Sequence, residues 1–282
     1  MIYNLVKLLP VLLLAIFVYT IASCKTISTQ EYTVETVSLS AGSVVRIVLV
    51  SDLHSTIHGK AQSTLINKIK QQNPDIIVLS GDIFDDVVPM DGTQLLLAGI
   101  SGIAPIYYVT GNHEYWSHRV QEFRDELESY GVKILSDEYV RIELYDNEII
   151  MAGIEDPDKK WYETPDYNQN RIMEDRFREL DEETAYKILV AHRPEKIEYY
   201  QKFSFDLILS GHTHGGQVRI PLIINGLYAP NQGLFPKYGG GIYRHDNSVH
   251  IISRGLSINP RLPRIFNPPE LVVIVVQTTT SP

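Results

Sequence analysis

Three short apolar runs in the first half of this chain each end in a turn crowded with side chains that can bind metal. Val44–Val50 runs into Ser51-Asp52-Leu53-His54. Asp75–Leu79 runs into Ser80-Gly81-Asp82-Ile83-Phe84-Asp85-Asp86, and Pro105–Val109 into Thr110-Gly111-Asn112-His113-Glu114. Runs of this length read as buried strands. Helical stretches at Lys60–Gln72 and Thr93–Ile100 lie between them. Strands alternating with helices imply an α/β fold, where ligand sites form beyond the carboxyl ends of the strands. The three turns should therefore converge. An Asp at one strand end can simply cap the next helix; three ends carrying Asp, His, Asp, Asn and His are hard to read as capping alone.

The second half repeats the pattern. Tyr186–Val190 ends in Ala191-His192-Arg193-Pro194. A strand beginning at Phe205 delivers Ser210-Gly211-His212-Thr213-His214-Gly215-Gly216-Gln217, two histidines flanked by glycines whose backbone can pass close to a ligand. Alone, His-x-His is a weak motif; its weight comes from the other strand ends. His58, four residues after His54, is placed at the border of the site. His118, His245 and His250 fall at helix or hairpin positions and are read as surface residues.

The other elements frame this set. Ser117–Tyr130 and Arg171–Thr184 read as charged helices, the first amphipathic and solvated. Val132–Ile134 is a short strand, and Arg141–Leu144 with Glu148–Ile154 a hairpin. Asp156–Asn170 lacks periodicity and reads as a loop near the site, suited to a lid. Val218–Ile224 is expected to be a strand. Ala229–Gly241 is a surface loop that could contact substrate. Ile242–His245 and Val249–Ser253 form a second hairpin, and Leu271–Gln277 a last apolar strand.

A chain of 282 residues, 44% hydrophobic and without internal repeats, can bury one large core. Its net charge of -9 argues against a nucleic-acid surface. The single cysteine excludes an intramolecular disulfide and a Cys-rich zinc site. Any metal must then be held by nitrogen and oxygen, and five histidines with hard oxygen ligands suit Mn, Fe or Zn.

At the start, Leu8–Ala22 is apolar over about 15 residues, the length of a signal-peptide core and short for a spanning helix. It ends in Ile21-Ala22-Ser23-Cys24, which resembles a bacterial lipobox; the alternative is an uncleaved anchor. Either way, Lys7 marks the inner side and the domain is expected outside the cytoplasmic membrane, tethered to it. The chain divides into a signal or anchor segment (1–24), a polar linker (Lys25–Gln30) with a first strand (25–43 together), and a catalytic domain (44–282).

Asp52-x-His54, Gly81-Asp82-x-x-Asp85, Gly111-Asn112-His113-Glu114, His192 and Gly211-His212-x-His214 resemble, in order and spacing, the calcineurin-like metallophosphoesterase superfamily. The likeness runs from about Val44 onward. The apolar N-terminal segment, Gly-His-Thr-His-Gly-Gly-Gln, the Asn231-Gln232-Gly233 loop and Arg-Ile-Phe-Asn-Pro-Pro-Glu-Leu look like the membrane-associated YkuE/YaeI-type branch. Some members of that branch act on UDP-2,3-diacylglucosamine. The resemblance implies an α/β fold of four layers, an αββα sandwich with a dinuclear metal site at the carboxyl ends of the strands. It implies that Asp52, His54 and His214 hold one divalent ion, that Asn112, His192 and His212 hold a second, and that Asp82 bridges them. It makes His113 the catalytic histidine near the leaving group and Asp85 the residue that orients it. The implied reaction is hydrolysis by in-line attack of water activated between two cations.

One position departs from the Ser/Thr protein phosphatases of the superfamily. Where they carry an Arg that helps bind phosphate, this chain has Asp86. A dianionic terminal phosphate would meet a negative charge instead of a fork of donors. That favours a phosphodiester or pyrophosphate over a phosphoprotein, and the tether suits a lipid- or nucleotide-linked small molecule such as UDP-2,3-diacylglucosamine. A phosphomonoesterase of the same fold and a non-catalytic tethered scaffold are the alternatives. Arg193 is a candidate phosphate contact, with a helix-start surface role as its alternative. The sequence gives no oligomeric state.

Overall fold

The computed structural model describes residues 25–220, 222–258 and 263–279. The signal or anchor segment, residues 1–24, lies outside the described residues. Fourteen strands are described: β1 (Ser28–Thr36), β2 (Val44–Val50), β3 (Ile76–Ser80), β4 (Ile106–Val109), β5 (Lys133–Ile134), β6 (Glu138–Leu144), β7 (Asn147–Ile154), β8 (Tyr186–Ala191), β9 (Leu207–Ser210), β10 (Tyr228–Ala229), β11 (Gly233–Leu234), β12 (Gly241–Arg244), β13 (Val249–Ile252) and β14 (Glu270–Thr278). Twelve of them form two six-stranded sheets, ordered β1-β14-β2-β3-β4-β5 and β12-β13-β9-β8-β7-β6. Strands β2 to β5 run parallel, as do β7, β8, β9 and β13. The carboxyl ends of β2, β3, β4, β8 and β9 therefore gather at one end of the molecule.

Both faces of each central strand are apolar, so each sheet buries two layers. In β2, Ile47 and Leu49 pack toward the second sheet, with Val78, Met151, Ile188, Val190 and Leu209. Val48 and Val50 point the other way, against Leu65, Leu96 and Phe123 of the helices Ser63–Gln71, Asp91–Ile100 and Val120–Ser129. In β7, Ile150 and Ala152 pack outward against Met173 and Phe177 of the helix Gln169–Phe177. Three separate cores between four layers give the expected αββα sandwich. Full burial of these aliphatic chains is what fixes the sheets against each other, at roughly 1.5–3 kcal/mol per side chain.

Several local expectations change. Val218–Ile224 does not form a strand. Val218 bridges only to Ile265, the Ile220 N–H bonds to Ile224 O, and Leu222 takes a left-handed φ of 67°, so the segment folds back on itself. The stretch expected as a polar linker is partly strand, because Ser28–Gln30 pair with Glu270–Val272 of β14. The helix expected over Ser117–Tyr130 starts at Val120, and a separate turn of helix covers Asn112–Trp116; His118, at φ 58°, breaks the two. The helix after Asn170 ends at Phe177 and tightens into a 3₁₀ turn, Arg178–Glu182. His250 is not a surface residue. It lies in β13, next to the central β9, is fully buried, and its Nε2 sits 2.9 Å from Ser210 Oγ.

Candidate metal centre

The five strand-end turns meet as their parallel direction requires. Ligand atoms of Asp52, His54, Asp82 and His214 lie within 4.8 Å of one another, and so do those of Asp82, His192 and His212. Asp82 is common to both groups. The imidazoles pair off accordingly, His54 with His214 at 5.1 Å between ring centres and His192 with His212 at 5.0 Å. Asn112 adjoins the shared carboxylate, since the N–H of its neighbour His113 donates to Asp82 Oδ1 at 2.8 Å.

Whether these side chains fit metal is tested by what they leave unpaired. His54 Nε2, Asp82 Oδ2, Asn112 Oδ1, His192 Nε2 and His212 Nε2 are all buried and find no hydrogen-bond partner among the described residues. A buried orphan polar atom costs roughly 1–3 kcal/mol, and native interiors tolerate few. Asp82 Oδ2 and His192 Nε2 lie 3.2 Å apart and could satisfy each other as an ion pair, but His54 Nε2, Asn112 Oδ1 and His212 Nε2 would still be orphaned, and a cluster of such cation-ligating atoms fits a divalent-metal site. The tautomers agree. His54 Nδ1 donates to Asp85 Oδ2 at 2.8 Å and His192 Nδ1 to Ser80 O at 2.7 Å, while His214 Nδ1 sits 3.1 Å from Ser257 Oγ. Each outer contact leaves Nε2 free to ligate. Burial holds His212 and His214 well below the usual imidazole range, which keeps them neutral. Asp82 is buried too, but the imidazoles of His192 and His113 keep it well below the usual carboxylate range.

The backbone is bent to aim these groups. Asp52, His54, Asp82, His212 and His214 all have φ between 47° and 70°, a region that costs a non-glycine residue on the order of 1–3 kcal/mol. Gly211 is required by close approach: a Cβ there would lie 1.8 Å from Ser51 Oγ and 2.4 Å from Asp52 Oδ2. Glu114 ties two turns together. Its buried carboxylate accepts the N–H groups of Asp82, Ile83, Phe84 and Gly111 at 2.7–3.1 Å. Sequence reasoning assigned Glu114 no role; the signal was an acidic residue at the third position of the short helix that opens after Gly111.

Residues 45–216 match the family described as Calcineurin-like phosphoesterase. The chain belongs to this family. It is therefore a metal-dependent phosphoester hydrolase whose His/Asp cluster can bind the metal. An "Uncharacterized metallophosphoesterase" of Aquifex aeolicus is 28% identical over 88% of this chain and 91% of its own length. "Uncharacterized metallophosphoesterase YkuE" of Bacillus subtilis is 27% identical over 90% and 86%. A Campylobacter jejuni "Uncharacterized metallophosphoesterase" is 30% identical over 82% of this chain, which spans only 58% of that longer protein. Among solved structures, the Haemophilus influenzae NAD nucleotidase shares the fold, with a TM-score of 0.52 at 15% identity over 77% of this chain and 46% of that one.

The remaining candidate residues of this phosphoesterase fall in unexpected places. Asp85 was expected to orient His113, but its Oδ2 is 3.8 Å from His113 Nδ1. Its Oδ1 accepts the N–H groups of Val87 and Val88, which turns Oδ2 toward His54 instead. The partner of His113 is the next residue: His113 Nδ1 donates to Asp86 Oδ1 at 2.6 Å. Arg193 is not a free phosphate donor. The residue is 5% exposed, and its guanidinium is forked onto Asp156 at 2.7 and 2.9 Å and lies 3.0 Å from Asp158. The buried Asp156 carboxylate needs that counter-charge. The pairing also fastens the loop after β7 to the centre, with Lys159–Tyr162 forming a helical turn in it. His58 is buried outside the cluster and donates from Nε2 to Leu256 O at 2.9 Å; Leu256 N–H in turn donates to Ser51 O and Asp52 O. His58 braces the Asp52 turn from behind.

Proposed function

We propose that this phosphoesterase cleaves a phosphodiester or pyrophosphate bond in a lipid- or nucleotide-linked small molecule, of the kind that UDP-2,3-diacylglucosamine represents. One observation carries the reading. The acidic Asp86 stands at the mouth beside His113, and Arg193, the arginine that follows His192, is spent on Asp156 and Asp158. A dianionic monoester would meet repulsion with no guanidinium fork to offset it, whereas a diester or an internal pyrophosphate brings less charge to each phosphorus.

Asp52, His54 and His214 would hold one cation, and Asn112, His192 and His212 the other, with Asp82 between them; Mn, Fe or Zn suits this donor set. Such ions, when bound, acidify water and neutralise phosphate charge. Asn112 contributes an oxygen without adding negative charge beside an anionic substrate. His113 is the group that handles the proton. Its side chain is 23% exposed at the mouth, and its Nδ1 donates to Asp86 Oδ1 at 2.6 Å. That contact orients the ring and leaves Nε2 to hand a proton to the leaving oxygen. Loss of such an acid costs about 10²–10⁴-fold in rate.

The test compares bis-p-nitrophenyl phosphate with p-nitrophenyl phosphate, using the full chain in detergent after metal removal and reloading with Mn. Wild type should prefer the diester, and Asn112→Ala and His113→Ala should lose that activity. Asp86→Arg should shift the ratio toward the monoester. A wild-type preference for the monoester would overturn the reading.

The apolar stretch Leu8–Ala22, ending at Cys24, supports a tether at the outer face of the bacterial cytoplasmic membrane. Among the described residues no helix is long and apolar enough to cross a membrane. A chain that begins at Cys24 and carries a lipid-sized mass on it, with both features lost in Cys24→Ala, would establish Cys24 as the acceptor. An unchanged, unprocessed chain would mean an uncleaved anchor.

A further inference from the structure

The segment that failed to become a strand is the most exposed apolar feature of the fold. Leu222 is fully exposed, Ile223 is 78% exposed, and Ile220 and Phe266 are each exposed by two-fifths. They rim an open groove of about 440 Å³ together with Ile224, Arg219 and Arg254. Single exposed apolar residues need no explanation, but a contiguous set marks an interaction surface. The set extends to the neighbouring β10–β11 hairpin, where Leu234 and Phe235 are also exposed and the Phe235 N–H bonds back to Leu227 O.

Two further observations identify what covers this face. The first is where the undescribed N-terminal segment joins the fold. Ser28 N and Oγ both donate to Pro269 O, and Arg254 Nη2 reaches Ser28 Oγ at 3.4 Å. Arg254 lines the groove, so the chain enters the domain at the groove's own edge. Only residues 23–27 separate the apolar run Leu8–Ala22 from Ser28, a reach of at most about 20 Å. The second is charge. Two guanidinium groups line the groove; Arg254 is paired with the buried Glu270, whereas Arg219 Nη1 is buried without a partner among the described residues. Apolar chains around arginines match the boundary between lipid phosphates and acyl chains.

We propose that this face, Ile220, Leu222, Ile223 and Phe266 around Arg219 and Arg254, seats on the surface of a lipid bilayer. Its aliphatic tips enter the acyl region, and Arg219 meets a lipid phosphate. The face adjoins the metal centre directly. Asn267, next to Phe266, donates to His214 O, and Arg219 N–H donates to Ile265 O. Seating would thus hold the mouth of the centre at the membrane surface. This step deepens the lipid-linked substrate reading and rests on it for its purpose, though not for its test.

The test uses the full chain with Cys24→Ser, so that one introduced thiol can be labelled. A polarity-sensitive fluorophore is placed at Leu222→Cys or, as the control, at Glu143→Cys on the far edge strand β6. The protein is reconstituted into vesicles of equal parts phosphatidylethanolamine and phosphatidylglycerol carrying doxyl-labelled acyl chains. The label at 222 should shift to the blue and be quenched by the acyl doxyl groups, while the label at 143 stays quenchable only by aqueous iodide. Iodide quenching at both positions in membrane-bound protein would overturn the proposal. So would excimer emission from a pyrene at 222, which would make the face a contact between two copies. Arg219→Gln should weaken the blue shift at 222 only when phosphatidylglycerol is present; an unchanged shift would remove Arg219 from the proposal. None of these readouts depends on turnover, so a failure of the substrate reading is scored separately.

Discussion

Two adjacent carboxylates, Asp85 and Asp86, divide their work by direction. Asp85 is held by two backbone N–H groups and faces His54, a proposed ligand; Asp86 reaches His113. Asp86→Asn should therefore lower kcat by roughly 10–100-fold, the usual penalty for losing an outer hydrogen-bond partner, with metal content unchanged. Asp85→Asn should instead lower metal occupancy, because His54 loses the contact that sets its tautomer. Metal analysis of both variants beside their kinetics separates the two. That these Asp and His residues would cluster was legible in sequence because metal chemistry restricts residue types and the strand ends fix their spacing. The division between Asp85 and Asp86 was not legible, since a one-residue offset in a turn does not say which carboxylate points inward. Arg193 misled for a related reason: its neighbour His192 faces the centre, but the acid that neutralises it, Asp156, is 37 residues away in sequence.

At the scale of elements, the apolar runs located the main strands to within a residue or two, and the exceptions have physical causes. Val218–Ile224 has the composition of a strand, but a strand needs a partner, and only Val218 bridges outside the segment, Ile220 pairing with Ile224 within it. His250 was misplaced because β13 is an inner strand, covered by β12 on one side and β9 on the other. Burial pushes its pKa down from 6.5 to about 3. The folded state thus refuses a proton that the unfolded chain accepts below about 6.5. The associated stability is intact above that pH and is lost as the pH falls toward 3, by up to roughly 5 kcal/mol. Urea denaturation between pH 7 and 4 should show a steeper loss for wild type than for His250→Gln. Equal slopes would mean that His250 is protonated in the fold.

For the whole molecule, sequence periodicity alone gave an α/β chain. Both faces of the central strands are apolar, so nothing in the pattern said whether a sheet or helices cover each face; the two-sheet arrangement came from the family resemblance. The packed sandwich brings five buried atoms of metal-ligating type together without hydrogen-bond partners among the described residues beyond the 3.2 Å approach of His192 to Asp82, so removing metal should act on the whole fold. A ligand at 100 times its Kd stabilises by about 2.7 kcal/mol, and a domain of this size moves by about 2–4 °C per kcal/mol. Chelated protein should melt several degrees lower than protein reloaded with Mn, and a double Asn112→Ala, His212→Ala variant should show a smaller difference. An unchanged Tm on chelation would mean that the orphan atoms are satisfied some other way.

Strand β14 lies between β1 and β2 and pairs with both. During synthesis, residues 28–50 emerge more than 200 residues before the strand that joins them. Until residues 270–278 leave the ribosome, β2 has an open apolar edge and β1 has no neighbour in the first sheet. A nascent chain in that condition is slow to fold and prone to pair with other open edges. Under the tether proposed above, that delay would have a use: closing of the first sheet waits for its last strand, which would keep the chain loose while it crosses a membrane.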